Sequence, residues 1–194
     1  MVETRKEEII RVAARLFKEK GYSAVTMRDL AKAMGIKAAS LYNHIDSKQD
    51  ILKTIIISLA EEFTAGMVTI LQSEISSLNK LKRIIALHVG ITGENTDGMA
   101  SLNNDWMHLE EKLDYYLMLR INYEDNFRKI IREGIAAEEI VDKDPDIMLF
   151  SILSTLRSLY IWIPDKKNLD PLQLSHELSA ILLNGINKKV KKIS

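Results

Sequence analysis

The sequence predicts an all-α protein of about nine helices. Apolar residues recur at helical spacing along most of the chain, and no segment alternates apolar and polar residues as a half-buried strand does. Asp144-Pro145 and Asp170-Pro171 each place an N-cap acid before a proline at the first helical position. Pro164 falls at the end of the helix between them, so all three prolines lie at helix borders.

The first predicted helix covers residues 4–20. Thr4 and Glu7 have the spacing of a capping box, and Gly21 ends the segment. Ile9, Leu16 and neighbouring apolar residues fall on one side, which indicates that the helix packs against a core.

Two short helices joined by a tight turn are predicted next. Thr26 and Asp29 form a second capping box, and Gly35 supplies the left-handed residue that ends the helix. The following helix, over residues 37–43, is too short to be stable alone, and Leu41 anchors it inward. Such a helix-turn-helix places its second helix in the major groove of DNA.

Small and polar side chains on this second helix suit close approach to base edges and phosphates. Lys37, Ala39 and Tyr42 are expected to face the groove, with Arg28 at its edge. The start of the next helix, at Lys48, is expected to meet a phosphate. The predicted DNA-binding residues are Thr26, Arg28, Lys37, Ala38, Ala39, Ser40, Tyr42, Asn43, His44 and Lys48.

At these positions the chain resembles the TetR family of bacterial transcriptional repressors. The resemblance runs almost without gaps from about Glu7 to about Leu52, and Ile45 departs from it where the family usually carries Phe. The resemblance implies an N-terminal three-helix DNA-binding domain at 1–48, and an effector-binding and dimerisation domain at 49–194. It also implies a homodimer that packs through its last two helices and binds a palindromic double-stranded DNA operator.

Charge is distributed in agreement with this interpretation. The net charge of the whole chain is zero, but residues 1–50 carry ten Lys and Arg against seven Asp and Glu. A modest positive field is therefore expected where DNA would bind. The chain contains no cysteine, which excludes disulfides and thiolate chemistry. Neither a signal peptide nor an apolar run of membrane-spanning length is recognised, so a cytoplasmic protein without membrane contact is expected.

The C-terminal part is expected to be helical throughout. Ser47 caps a long helix that Gly66 bends or ends, and further helices are predicted over 78–90, 99–110 and 113–133. Gly134 is expected to stop the last of these. The segment 90–98 contains three glycines and is predicted to be a loop.

The final two helices, within 146–186, are apolar on nearly every side. Such helices are covered on both sides, either by a partner subunit or by the chain's own core. We predict a dimer surface here, because a partner subunit is the simplest cover in a chain of this size, and the resemblance also favours it. The basic tail KKVKK is expected to be a frayed, solvated helix end.

Large flexible and aromatic residues between 99 and 127, accompanied by polar ones, predict a pocket for a small-molecule effector. Arg157 lies in an otherwise apolar helix and needs a partner, for which an anionic ligand, Glu110 or Asp105 are candidates. The segment around Tyr160 to Pro164 also resembles, loosely, the acyl-CoA-sensing branch of the family. The predicted effector-binding residues are Asn103, Trp106, Met107, Arg120, Tyr123, Phe127 and Arg157.

Catalysis is not expected. None of the four histidines shows the spacing of a zinc site on one helix, and the glycines of 90–98 do not follow a strand as a phosphate loop would. No metal or cofactor is predicted. The sequence therefore predicts a repressor that a small apolar or amphipathic effector releases from its operator. The alternative is a helical dimerisation protein without specific DNA binding.

Overall fold

The computed structural model describes residues 3–166 and 169–184 of the chain. This part of the chain forms ten α-helices joined by turns and short 3-10 segments, which confirms the predicted all-α class. The helices are α1 (Arg5–Lys20), α2 (Met27–Ala33), α3 (Ala38–Leu41), α4 (Lys48–Gln72), α5 (Ser77–Glu94), α6 (Thr96–Asn104), α7 (Leu113–Ala136), α8 (Pro145–Arg157), α9 (Leu159–Trp162) and α10 (Pro171–Asn184). Residues 185 and 186 of the predicted dimer helix, and the KKVKK tail, lie outside the described residues.

The helices group into two compact units. The first comprises Met1–Glu62 and Asn95–Leu119, and the second comprises Phe63–Glu94 and Arg120–Ser194. The long helices α4 and α7 each contribute residues to both units.

The first unit is built around α1. Its capping box is present as predicted, with the Thr4 hydroxyl accepting from the Glu7 N–H. Ile9 and Phe17 are almost fully buried in the unit's core. Helix α6 packs along α1, and the Lys18 ammonium lies 2.9 Å from the Asp97 carboxylate.

The second unit is built around α5, which packs against α10 and also contacts α8 and α9. Gly66 of α4 allows close approach to this helix, because a Cβ at that position would lie 2.6 Å from methyl groups of Leu87. Helix α4 continues past Gly66 to Gln72, so this glycine serves packing and does not end the helix.

The predicted loop at 90–98 is wrong. Helix α5 continues to Glu94 and α6 begins at Thr96, with the Asn95 side chain capping α6 by accepting from the Gly98 N–H. Ile91 and Thr92 are buried, and burial of this helix face outweighs the low helix propensity of Gly90 and Gly93.

Two smaller expectations also differ from the structure. The segment 99–110 is helical only to Asn104 and continues as two 3-10 turns, Trp106–His108 and Glu110–Lys112. Gly134 lies inside the last turns of α7, where its carbonyl accepts from the N–H groups of Glu139 and Ile140. Both regions depend on tertiary packing that local sequence signals do not show.

Two segments, Lys48–Gln72 and Pro145–Asp165, are long and apolar enough to cross a membrane by length and composition alone. The expectation that no run approaches that length is therefore wrong. One or two such helices are weak evidence of a membrane span, and Ile55, Ile56 and Leu59 of α4 are buried inside the protein.

Candidate nucleic-acid interface

The helix-turn-helix begins with the predicted capping box of α2. The Thr26 hydroxyl accepts from the Asp29 N–H at 3.2 Å, and the Asp29 carboxylate accepts from the Thr26 N–H at 2.9 Å. Hydrogen bonds from the Thr26 hydroxyl and N–H hold the pKa of Asp29 below its ordinary value. The charged carboxylate therefore fixes the start of α2 at neutral pH.

The turn between α2 and α3 follows from Gly35, whose φ of 65° lies in the left-handed region. The Ile36 N–H donates to the Ala31 carbonyl at 3.0 Å, and this hydrogen bond caps the C-terminal end of α2. Leu30 and Leu41 are completely buried, so both helices are held by the core of the first unit.

Helix α3 is shorter than predicted. It ends at Leu41, and a turn follows it from Tyr42 to His44. Tyr42 is 55% exposed, and Leu41 and Ile45 are buried on either side of it in sequence. Among the predicted contact residues, seven are exposed and three are half-buried. The exposed ones are Thr26, Arg28, Lys37, Ala39, Tyr42, Asn43 and His44, and the half-buried ones are Ala38, Ser40 and Lys48.

Lys48 has a structural role that the sequence did not reveal. Its ammonium donates to the carbonyls of Tyr22 at 2.9 Å and Val25 at 2.8 Å, and it lies 4.2 Å from the centre of the Tyr22 ring. Two of its three donors are therefore engaged in joining the segment before α2 to the start of α4. The backbone start of α4 remains the predicted phosphate contact.

The predicted effector residues divide between the two units. Asn103, Trp106 and Met107 belong to the first unit, and the other four belong to the second. In the first unit, the Asn103 amide donates to the Met99 carbonyl, Trp106 stacks on Tyr116, and Met107 is 57% exposed.

In the second unit, two predicted residues meet at a third that the sequence did not indicate. Glu124 accepts from Arg157 and from the Arg120 Nε at 3.3 Å. Burial alone would raise the pKa of Glu124, but the hydrogen bonds from Arg157 and Arg120 outweigh it and hold the pKa below its ordinary value. Glu124, and neither Glu110 nor Asp105, is the partner of Arg157. Two guanidinium groups therefore share this one carboxylate.

Tyr123 and Phe127 are buried in the same unit. The Tyr123 hydroxyl lies 2.9 Å from His88 Nε2, and burial raises the pKa of Tyr123. Burial, together with the positive charge of Arg157, lowers the pKa of His88 to about 3, so this imidazole is neutral at physiological pH. Sequence reasoning missed His88, although it continues the apolar stripe of Leu81, Ile84 and Ile85.

Comparison with known proteins identifies the family. Residues 74–186 match the family described as "Tetracyclin repressor-like, C-terminal domain", which is more than half of the chain, and residues 9–55 match "Bacterial regulatory proteins, tetR family". The chain belongs to the TetR family. It is therefore a DNA-binding transcriptional regulator and not an enzyme, as the sequence predicted.

Individual relatives are distant in sequence but similar in fold. The chain is 26% identical to the HTH-type transcriptional repressor KstR2 of Rhodococcus jostii (strain RHA1) over 133 residues, which are 68% of this chain and 65% of that protein. It is 23% identical to the fatty acid metabolism regulator protein of Bacillus subtilis (strain 168), covering 94% of this chain and 95% of that protein. The structure of the ketosteroid transcriptional regulator KstR2 of Mycobacterium tuberculosis aligns with a TM-score of 0.90 at 23% identity, covering 97% of this chain and 98% of that one.

Proposed function

We propose that this TetR-family member is a cytoplasmic, homodimeric repressor that leaves a palindromic operator when a small apolar or amphipathic effector binds. The exposed side of α3 carries the proposal. Lys37, Ala39 and Tyr42 are exposed there, while the buried Leu41 fixes the helix to the core of its unit. A fixed helix with an exposed polar side is what major-groove recognition requires.

We propose that residues 1–48 bind DNA and that residues 49–194 bind the effector and form the dimer. The compact units do not follow this boundary, because the first unit also includes α6 and the segment up to Leu119. Helix α6, which packs along α1, is therefore a suitable element to transmit effector binding to the DNA-binding helices.

The proposed dimer surface lies on α8, α9 and α10. Large apolar side chains that a soluble monomer would bury are exposed on these helices, and a second copy is the simplest cover. They are Ile147, Phe150, Ile161, Trp162, Leu172 and Ile181.

The proposed effector is an amphipathic molecule such as an acyl-CoA thioester. The names of KstR2 and of the Bacillus subtilis regulator refer to ketosteroids and fatty acids, both largely apolar. In this chain, the buried Tyr123 and Phe127 supply apolar surface, and the guanidinium groups of Arg120 and Arg157 supply donors suited to an anionic group.

Fluorescence anisotropy with DNA from upstream of the chain's own coding sequence tests the repressor against the alternative dimerisation protein. A repressor binds this DNA more tightly than a scrambled duplex of equal length and composition. Equal affinity for both duplexes would support the alternative, because phosphate contacts alone do not distinguish sequences.

Addition of decanoyl-CoA to the operator complex tests the effector class. Decanoyl-CoA should weaken operator binding, with a coupling free energy between the two ligands of about 1–3 kcal/mol. Arg120→Ala should reduce release and leave operator affinity nearly unchanged, since Arg120 belongs to the second unit. Lys129→Ala, an exposed lysine further along α7, is the matched control and should release like the parent protein.

A further inference from the structure

Helix α5 carries two buried polar atoms with no hydrogen-bond partner among the described residues, His88 Nδ1 and Thr92 Oγ1. His88 is 4% exposed and Thr92 is completely buried. Buried polar atoms in proteins are nearly always hydrogen-bonded, because losing water without replacement costs free energy. Two such atoms on one helix therefore require an explanation.

The two side chains lie four residues apart, so they project from the same face of α5, one turn from each other. The opposite nitrogen of the imidazole, Nε2, is already paired with the Tyr123 hydroxyl at 2.9 Å. If this hydroxyl donates to Nε2, the imidazole proton lies on Nδ1, which leaves fewer groups unpaired than the other tautomer. This face of α5 then carries an imidazole N–H donor and, one turn away, a hydroxyl donor.

The surroundings of the imidazole are aromatic. The Phe63 ring lies 4.5 Å from the His88 ring, centre to centre, and the Tyr123 ring lies 5.9 Å from it. Burial lowers the pKa of His88 to about 3, with the positive charge of Arg157 adding to the effect, so the imidazole is uncharged at physiological pH. Because the imidazole is uncharged, it and the Thr92 hydroxyl can donate to a neutral carbonyl or hydroxyl oxygen without burying a further charge.

We propose that His88 Nδ1 and Thr92 Oγ1 form a subsite for the uncharged carbonyl or hydroxyl oxygen of an otherwise apolar effector. This inference rests on the proposed effector-binding function and deepens it, because it adds two residues and the chemical class of the group they bind. A buried water that bridges the two atoms is the competing explanation.

Thr92→Val separates the two explanations, since valine has nearly the shape of threonine and lacks the hydroxyl. The probes are 2-decanone and 1-decene, two apolar chains of equal length of which only the first carries a carbonyl. We expect the substitution to weaken 2-decanone binding, measured by calorimetry, about tenfold, and to leave 1-decene binding unchanged. The melting temperature of the ligand-free variant should stay equal or rise, because the substitution removes an unpaired buried hydroxyl.

Thr69→Val makes the same chemical change at an exposed position of α4. It should change neither the affinity for 2-decanone nor the melting temperature. The ¹⁵N spectrum of His88 should show the Nδ1–H tautomer, and its Nδ1 resonance should move when 2-decanone binds and stay unmoved with 1-decene. Loss of stability in ligand-free Thr92→Val would support the bridging water and overturn the proposal. So would a parent protein that binds the ketone no more tightly than the alkene.

Operator binding is measured in parallel by anisotropy. Absence of sequence-specific DNA binding by the parent protein would overturn the repressor proposal, whatever the probes do. Intact operator binding together with equal ketone and alkene affinities would overturn this inference alone.

Discussion

At the scale of single residues, burial and capping hydrogen bonds identify the side chains that fix the helix-turn-helix. Leu30 and Leu41 are buried and Thr26 and Asp29 cap α2, so each has a structural function. Lys37 and Tyr42 are exposed on α3 or directly beside it. Their substitution should therefore affect DNA binding more than folding.

Lys37→Ala and Tyr42→Ala should each weaken operator binding by about 1–3 kcal/mol relative to random DNA, as expected for loss of a direct base contact. Anisotropy titrations on both duplexes measure this difference. Lys82→Ala removes an exposed lysine from α5 in the second unit and should leave both affinities unchanged. Equal losses on operator and random DNA would show that the two side chains contact phosphates only.

His88 should make folding stability dependent on pH. Folding lowers its pKa from 6.5 to about 3 through burial and the nearby charge of Arg157. As the pH falls below 6.5, the unfolded chain takes up the proton first, so this contribution to stability is complete above 6.5 and declines towards pH 3. The decline is at most about 1.4 kcal/mol per pH unit.

Urea unfolding at pH 7, 6 and 5 measures this loss. The difference between His88→Gln and the parent protein should shrink as the pH falls, while His176→Gln, at an exposed position, should follow the parent at each pH. A constant difference for His88→Gln would contradict the assignment of a neutral buried imidazole.

At the scale of helices, the sequence predicted those elements that local chemistry determines. The capping boxes of α1 and α2, the turn at Gly35 and the Asp-Pro start of α8 were all predicted, because each depends on residues a few positions apart. The loop at 90–98 was predicted wrongly, and Glu124 was not among the candidate partners named for Arg157. Both depend on what α5 and α7 pack against, which spacing along the chain does not encode.

Glycines inside helices also differ in whether local helix propensity or tertiary packing determines the effect of replacing them. A Cβ at Gly134 of α7 would lie 2.5 Å from Ile140 and 2.9 Å from the Ser77 Cβ, whereas a Cβ at Gly90 of α5 would meet nothing within 4 Å. Gly134→Ala should therefore destabilise by about 1–3 kcal/mol through overpacking. Gly90→Ala should stabilise by about 0.5–1 kcal/mol through helix propensity.

Urea unfolding of Gly134→Ala and Gly90→Ala measures the change in the free energy of unfolding, which should have opposite signs in the two variants. If both substitutions stabilise the protein, helix propensity alone determines the effect of the added methyl group, and the close contacts at Gly134 relax without cost.

At the scale of the whole molecule, the apolar residues exposed on α8 and α10 connect the fold to the proposed dimer. Phe150 and Ile181 are 69% and 72% exposed, respectively. Phe150→Glu and Ile181→Glu should give monomers that keep their helical circular dichroism and lose operator affinity, because a palindrome needs two linked recognition helices.

Light scattering coupled to size-exclusion chromatography measures the oligomeric state. Met118→Glu introduces the same charge at an exposed apolar residue of the first unit and should remain dimeric. A parent protein that is monomeric at micromolar concentration would contradict the dimer proposal.

Selection of binding sites from a random DNA pool tests the central claim most directly, because the protein itself selects its operator from all sequences in the pool. We expect enrichment of a palindrome whose half-sites lie about one helical turn apart, or a multiple of it, and loss of that enrichment in the Lys37→Ala, Tyr42→Ala double variant. A pool that remains random, or a double variant that enriches the same sequence, would contradict recognition of an operator through α3.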